Sequence, residues 1–68
     1  MSDDIRARLE RVHLLAADVL GGVEAGEAWL GTPRPALGER TPIDVAATAA
    51  GAASVSALLV GLGERLAA

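Results

Sequence analysis

The sequence has no cysteine, no phenylalanine and no tyrosine, and it has a single tryptophan among its 68 residues. Without cysteine, neither a disulfide nor a thiolate metal site is available to stabilise the fold. With Trp29 as the only aromatic residue, the core must be aliphatic and thin. A domain of this length buries only about 60% of the surface that its unfolded chain exposes. We therefore expect one marginally stable domain whose cohesion comes from packing, with a partner's surface as a further source.

The sequence also lacks an excess of positive charge. Nine acidic side chains stand against six basic ones, which gives a formal net charge of -3. Proteins that bind phosphate backbones carry the opposite balance, so we expect no direct nucleic-acid binding. The charged opening "MSDDIRARLE" has no basic region followed by an apolar block, so no secretory signal is indicated and a cytoplasmic location is predicted.

One stretch without charges, residues 45–63, is 19 residues long and approaches the length that spans a bilayer. Only six of these residues are valine or leucine, and the flanks lack the basic and aromatic anchors of a membrane helix. The composition favours a break within the stretch and a soluble core. A small membrane-associated peptide is the less favoured alternative.

Groups for catalysis are scarce. His13 is the only imidazole and has no second histidine or paired acid at a metal-binding spacing, which favours a structural role. Ser54 and Ser56 have no base near them in sequence, and "GERTP" lacks the lysine and hydroxyl residue of a phosphate-binding loop. We expect no enzymatic activity, no cofactor and no bound metal.

Hydrophobic spacing and helix-end signals predict an all-α fold. Apolar residues at intervals of three and four predict a first helix over residues 3–20, capped by Ser2 or Asp3 and stopped by Gly21 and Gly22. The residues of its apolar face are Ile5, Leu9, Val12, Ala16, Val19 and Leu20. A second, short helix is predicted over residues 24–30, with Gly31 as a left-handed cap.

Two further helices are predicted after a proline-rich segment. Thr41 and Pro42 are typical of a helix start, with Asp44 reaching back to the cap, and this helix should last about two turns. Thr48 is expected to cap the last helix. Its apolar stripe consists of Val55, Leu58, Leu59, Leu62 and Leu66. The predicted architecture is a compact bundle of about four helices, two long and two short, with a proline-stiffened bend.

The bend "WLGTPRPALGERTP" contains the only tryptophan and all three prolines. Trp29 is either the anchor of the core or a hot spot of an interface. The anchor is favoured, with Pro33 and Pro35 packed against the indole so that the loop fixes the angle between two helices. The alternative stays open.

The same residues carry a resemblance to a known family. The pattern is Trp29-Leu30, Thr32-Pro33, Pro35-Ala36-Leu37-Gly38, Arg40-Thr41-Pro42-Ile43, then Thr48, Gly51, Val55, Leu59 and Leu62. In this order and spacing it resembles the toxin-binding domain of the Xre/MbcA/ParS antitoxins. The likeness covers roughly residues 10–68.

The resemblance implies a bacterial type II antitoxin that inhibits a toxin acting on NAD, either a RES-type NAD-degrading enzyme or a ParT-like ADP-ribosyltransferase. In that family the C-terminal end helps to block the toxin's NAD cleft. Carried over by position, residues 62–68 form the plug, with the carboxylate of Glu64 or of the terminal Ala68 in the place of a phosphate. The partner-binding residues expected on this basis are Arg34, Glu39, Arg40, Leu62, Glu64, Arg65 and Ala68. The residues expected to be structural are Trp29, Pro33, Leu37, Gly38, Pro42 and Leu59.

The chain departs from the family pattern at three places. Glu39 stands where a second glycine is usual, Val45 and Ala46 replace a leucine pair, and Arg65 replaces a glycine. Many members also carry a helix-turn-helix domain before the toxin-binding domain, whereas a single toxin-binding domain over residues 1–68 is expected here. Homo-oligomerisation within the toxin complex is a further possibility. The alternative function is a small self-associating scaffold or adaptor that uses the small-residue face of the last helix.

Overall fold

The computed structural model describes residues 5–67, which form helices joined by short loops. In chain order these are α1 (Ile5–Leu20), α2 (Val23–Leu30), a 3-10 helix (Pro35–Leu37), α3 (Pro42–Val45) and α4 (Ala49–Ala67). No strand occurs in this part of the chain. The two long and two short α-helices confirm the predicted all-α bundle. The predicted caps Ser2 and Asp3 lie outside the described residues.

The end of α1 follows the predicted glycine signal. Gly21 has a φ of 87°, in the left-handed region where a side chain is unfavourable. This conformation turns the chain so that the amides of Gly21 and Gly22 both donate to the carbonyl oxygen of Ala17, at 3.0 and 2.9 Å. Because the turn is so short, α2 returns directly along α1.

The end of α2 differs from the prediction. Gly31 has φ -95° and ψ 5°, so the left-handed cap predicted for it is wrong. The hydroxyl of Thr32 donates to the carbonyl oxygen of Ala28 at 2.7 Å, and the Gly31 amide donates to Glu27 at 3.0 Å. These bonds satisfy carbonyls at the helix end, so a left-handed residue is not needed there.

The starts of α3 and α4 confirm the predicted threonine caps. The hydroxyl oxygen of Thr41 accepts from the Asp44 amide at 3.3 Å, and that of Thr48 accepts from the Gly51 amide at 2.9 Å. Pro42 is the first residue of α3, where its missing N–H costs nothing. With four residues, α3 is about one turn long rather than the two predicted.

The core is small and aliphatic, as the composition predicts. Its buried hydrophobic residues are Val12, Ala16, Leu30, Ala46, Val55 and Leu59. Two residues of the predicted apolar stripes are instead exposed, Ile5 by 49% and Leu66 by 62%. Both lie at the outer ends of their helices, beyond the turns that are buried, so the prediction that they belong to the core is wrong.

Close approaches between helices depend on small residues. A β-carbon on Gly26 of α2 would lie 2.9 Å from the backbone nitrogen of Ala17 in α1, closer than real side chains come.

At the other end of the fold, Nη1 of Arg8 donates to the carbonyl oxygen of Ala47 at 2.8 Å. This bond ties α1 to the loop between α3 and α4.

The uncharged stretch is interrupted, as predicted, because α3 ends at Val45 and α4 begins at Ala49. By length and composition alone, α4 is apolar enough to cross a membrane. This is weak support for a membrane span, because the apolar character comes largely from alanine, and Glu64 and Arg65 lie within the helix.

Candidate partner-binding surface

The bend between α2 and α3 is a small closed loop. Arg34, which precedes a proline, is extended with φ -121° and ψ 129°. Its amide donates to the carbonyl oxygen of Arg40 at 3.1 Å, so the two residues form an isolated antiparallel bridge. The carbonyl oxygen of Arg34 accepts from the amides of Leu37 and Glu39, both at 2.9 Å. These bonds hold the predicted contact residues Arg34, Glu39 and Arg40 in one defined loop.

The loop reverses through two successive residues with positive φ. Gly38 has φ 69° and ψ 35°, as its predicted role in the reversal requires. Glu39 follows with φ 65° and is the one non-glycine residue with positive φ among the described residues. The left-handed conformation costs a residue with a β-carbon roughly 1–2 kcal/mol. The exposed Glu39 side chain is thus displayed at the tip of the loop at the expense of stability.

Trp29 and Arg34 form the inner side of the bend. The guanidinium carbon of Arg34 lies 4.9 Å from the centre of the indole ring, and Nη2 donates to the Trp29 carbonyl oxygen at 3.3 Å. Trp29 is half-buried and packs against the core. Pro33 and Pro35, which we expected against the ring, are exposed. A guanidinium is attracted to the face of an indole, so Arg34 clamps the loop onto α2.

This placement changes what Arg34 can offer to a partner. Its side chain is half-buried, and its Nε is buried without a hydrogen-bond partner. Glu39 and Arg40 are exposed. The side chains of Glu39 and Arg40 are therefore accessible to a partner, whereas the side chain of Arg34 packs against Trp29.

An apolar groove adjoins the bend. It has a volume of about 390 Å3 and lies between the 3-10 helix and the middle of α4. Its lining residues are Ala36, Leu37, Ser54, Ala57 and Leu58. Leu37 packs against the core while also lining the groove, so one side chain serves both. Pro42 and Leu59, also expected to be structural, are buried.

The C-terminal turn of α4 holds the other predicted contact residues. Leu62 is half-buried, while Glu64 and Arg65 are exposed. The Arg65 side chain runs back along the helix, since its Nη1 would be 3.8 Å from a β-carbon placed on Gly61. Ala68 lies outside the described residues. With a rise of 1.5 Å per residue, Arg65 lies about 10 Å further along α4 than Leu58. The final turn therefore lies beyond the groove along α4, and the two sets of predicted contact residues do not form a single cluster.

Residues that could support catalysis are not brought together. Nδ1 of His13 lies 2.9 Å from the Leu9 carbonyl oxygen of its own helix, on an exposed face. Within residues 5–67, no three histidine, aspartate or glutamate side chains form a candidate metal site. What the described residues offer is an exposed bend, an apolar groove and a charged helix end, which is the chemistry of a protein-binding surface.

Three features of this surface were not predicted. The groove arises from the approach of the 3-10 helix to α4, and no local pattern encodes that approach. The positive φ of Glu39 did leave a signal, because glutamate replaces a usual glycine at that position. The Arg34 contact with Trp29 had only a weak signal, a cation five residues after the one aromatic residue.

A small helical bundle with such a surface has the form of a protein-binding module. Residues 15–64, most of the chain, match the family model of the antitoxin Xre/MbcA/ParS C-terminal toxin-binding domain. The chain therefore belongs to this family of toxin-binding antitoxin domains. Comparisons with curated proteins and with solved structures gave no match. The family match includes the whole bend, the groove and Glu64 of the final turn.

Proposed function

We propose that this chain neutralises an NAD-consuming toxin, either a RES-type NAD-degrading enzyme or a ParT-like ADP-ribosyltransferase, by covering its NAD cleft. The observation that carries the proposal is the match of residues 15–64 to a toxin-binding antitoxin domain. The proposed contacts are Glu39 and Arg40 of the bend together with the turn beginning at Leu62. The cell compartment of this complex is the cytoplasm, where NAD turnover is harmful.

The carboxylate of Glu64 in the last turn of α4 supports the proposal that this turn blocks the NAD cleft of the toxin. A cleft that binds a dinucleotide must present cationic or hydrogen-bonding groups to its phosphates. Glu64 is exposed near the end of α4, and a carboxylate there can accept the same hydrogen bonds. The carboxylate is poorly placed for helix stability, because the C-terminal end of a helix carries partial negative charge. An exposed glutamate at an unfavourable position is consistent with a role in binding.

The apolar groove supports a second, uncharged part of the interface. Stable protein interfaces have an apolar centre within a polar rim. In this chain the groove of Leu37 and Leu58 would take an apolar side chain of the toxin, with Glu39 and Arg40 at the rim. In this arrangement Arg34 holds the rim in position and does not touch the toxin.

The experiment is co-expression with the product of the neighbouring gene, purification through one tag and measurement of cellular NAD. A stable complex and restored NAD are expected. Glu64→Gln should leave the complex intact but weaken protection of NAD, while Glu24→Gln, at an exposed position of α2, serves as the matched control. Removing the charge of Glu64 should not destabilise the helix, so lost protection cannot be ascribed to unfolding.

If the chain is instead a self-associating scaffold or adaptor, the co-expression experiment should yield no complex and no change in cellular NAD. Self-association in the absence of any neighbouring gene product, with a neighbour that is harmless when expressed alone, would refute toxin neutralisation and support a scaffold. Analytical ultracentrifugation of the purified chain at several concentrations measures its self-association, and expression of the neighbouring gene alone tests whether its product is toxic.

A further inference from the structure

Glu39 at the tip of the bend combines backbone strain with a charged side chain that has no polar partner in the free chain. Its φ of 65° is the left-handed conformation, which disfavours a β-carbon. The preceding Gly38 adopts a similar φ of 69° without that cost. The Glu39 side chain is exposed, and no hydrogen bond or ion pair joins its carboxylate to any of residues 5–67. The free domain therefore gains no polar interaction that offsets the strain of this residue.

The strained conformation of Glu39 is maintained by the rest of the loop. Its amide donates to the carbonyl oxygen of Arg34 at 2.9 Å, and the Arg34 amide donates to Arg40 at 3.1 Å. The guanidinium of Arg34 is itself held 4.9 Å from the centre of the Trp29 ring. Strained residues persist where their surroundings fix the conformation, and they cluster at functional sites. Because the backbone of Glu39 is fixed before a partner arrives, binding does not have to order it.

Glu39 stands close to the apolar groove. It follows Leu37, which lines the groove, by two residues, so their Cα atoms are at most about 7.6 Å apart. None of the residues that line the groove is charged. The residue after Glu39, Arg40, is exposed and carries the opposite charge. Since the two charges cancel at a distance, Glu39 can favour one partner over another only through a group placed against its carboxylate.

We propose that Glu39 determines the specificity of this surface, by pairing its carboxylate with an arginine or lysine of the toxin at the edge of the apolar groove. The inference rests on the proposed function and adds the chemistry of the toxin residue that faces the bend. A toxin with a neutral or acidic residue at that place would leave the carboxylate unpaired in the interface, which disfavours binding. Glycine, usual at this position in the family, would be less strained but would not discriminate between such toxins.

The test measures the Kd between the full chain and the purified product of the neighbouring gene by isothermal titration calorimetry. Glu39→Gln keeps the side-chain size and the backbone strain but removes the charge. It should weaken binding roughly fivefold, as expected for an exposed ion pair, and leave the urea midpoint of the free chain unchanged. Added salt should narrow the difference between the parent chain and Glu39→Gln, because an exposed pair is screened.

The matched control is Glu10→Gln, which removes the same charge from an exposed position of α1 outside the family match. It should change neither the Kd nor the urea midpoint. Glu39→Gly separates strain from charge, because it should raise the urea midpoint of the free chain and yet weaken binding. A purely structural role for Glu39 would not produce these two opposite effects.

A charge reversal identifies the residue of the toxin that pairs with Glu39. Glu39→Lys should weaken binding more than Glu39→Gln, because like charges then face each other. The arginines and lysines of the toxin are changed to glutamate one at a time and tested against Glu39→Lys. One of these variants should restore the affinity, since residues in direct contact show strong coupling in a double-mutant cycle.

The outcomes separate this inference from the proposed function. If the parent chain does not bind the product of the neighbouring gene, the proposed function fails and the inference fails with it. If the parent chain binds and protects NAD but Glu39→Gln has the same Kd, only the inference fails. Equal or tighter binding of Glu39→Gly would also overturn it, as would the failure of every toxin variant to restore the affinity of Glu39→Lys.

Discussion

Replacing Gly51 with alanine should destabilise the domain, although the same change in an ordinary helix is stabilising. Alanine exceeds glycine in helix propensity by about 1 kcal/mol. At Gly51, however, the added β-carbon would overlap the carbonyl oxygen of Val45 and lie 2.7 Å from its carbonyl carbon. It would also lie 2.9 Å from Oγ1 of Thr48, the group that caps α4. The connection between α3 and α4 must therefore move.

The expected loss of stability is the sum of two costs, overpacking against Val45 and disruption of the Thr48 cap. Overpacking of this kind costs about 1–3 kcal/mol, and a lost threonine cap costs about 1 kcal/mol. After the gain of about 1 kcal/mol in helix propensity, the net loss should be about 1–3 kcal/mol. A domain of this size has a total stability of roughly 3–10 kcal/mol. Since each kcal/mol shifts the Tm of such a domain by about 4–8 °C, the Tm should fall by about 4–24 °C.

Urea and thermal unfolding followed by far-UV circular dichroism measure the effect, with Gly61→Ala as the matched control. Gly61 lies in the same helix, and the nearest atom to its added β-carbon is Nη1 of the flexible Arg65, at 3.8 Å. Gly61→Ala should therefore raise stability by about 0.5–1 kcal/mol. If Gly51→Ala unfolds at the same or a higher urea concentration than the parent chain, the close contact with Val45 is not a feature of the folded protein.

Three further predictions concern the bend and the helix crossing. Glu39→Gly should stabilise the domain by about 1 kcal/mol, because glycine adopts positive φ without strain; an unchanged urea midpoint would contradict the left-handed geometry. Arg34→Met keeps much of the side-chain volume but removes the contact with Trp29, and should lower stability by about 1 kcal/mol and shift the tryptophan emission; unaltered emission would refute the clamp. Gly26→Ala should cost about 1–3 kcal/mol in thermal unfolding, because its β-carbon would press on the backbone of Ala17, and a rise in Tm would contradict that crossing.

The features of the fold that the sequence predicted are those set by local chemistry. Gly21 ends α1 because the chain turns there through a left-handed conformation that favours glycine. Thr48 caps α4 through its own hydroxyl group. The errors arose where neighbouring groups decide the outcome. Gly31 has negative φ because the Thr32 hydroxyl satisfies the helix end. The periodicity of α4 continues to Leu66, but the buried part of the helix ends earlier.

In the candidate site, too, the features set by local chemistry could be predicted and those set by tertiary packing could not. The bend and the segment that forms it could be predicted because three prolines restrict the backbone there and Gly38 permits the reversal. The inward direction of Arg34 could not, since it depends on which face of Trp29 is left open by the packing of α2. The groove is also a tertiary feature, because its walls come from elements that are distant in sequence.

The small aliphatic core has a consequence for how long the free chain survives. With a stability of about 4 kcal/mol, roughly one molecule in a thousand is unfolded at any time and open to proteolysis. A partner present at a hundred times its Kd adds about 2.7 kcal/mol, which lowers that fraction about a hundredfold. Turnover of the chain would thus depend on how much partner the cell contains, because bound copies unfold less often than free copies.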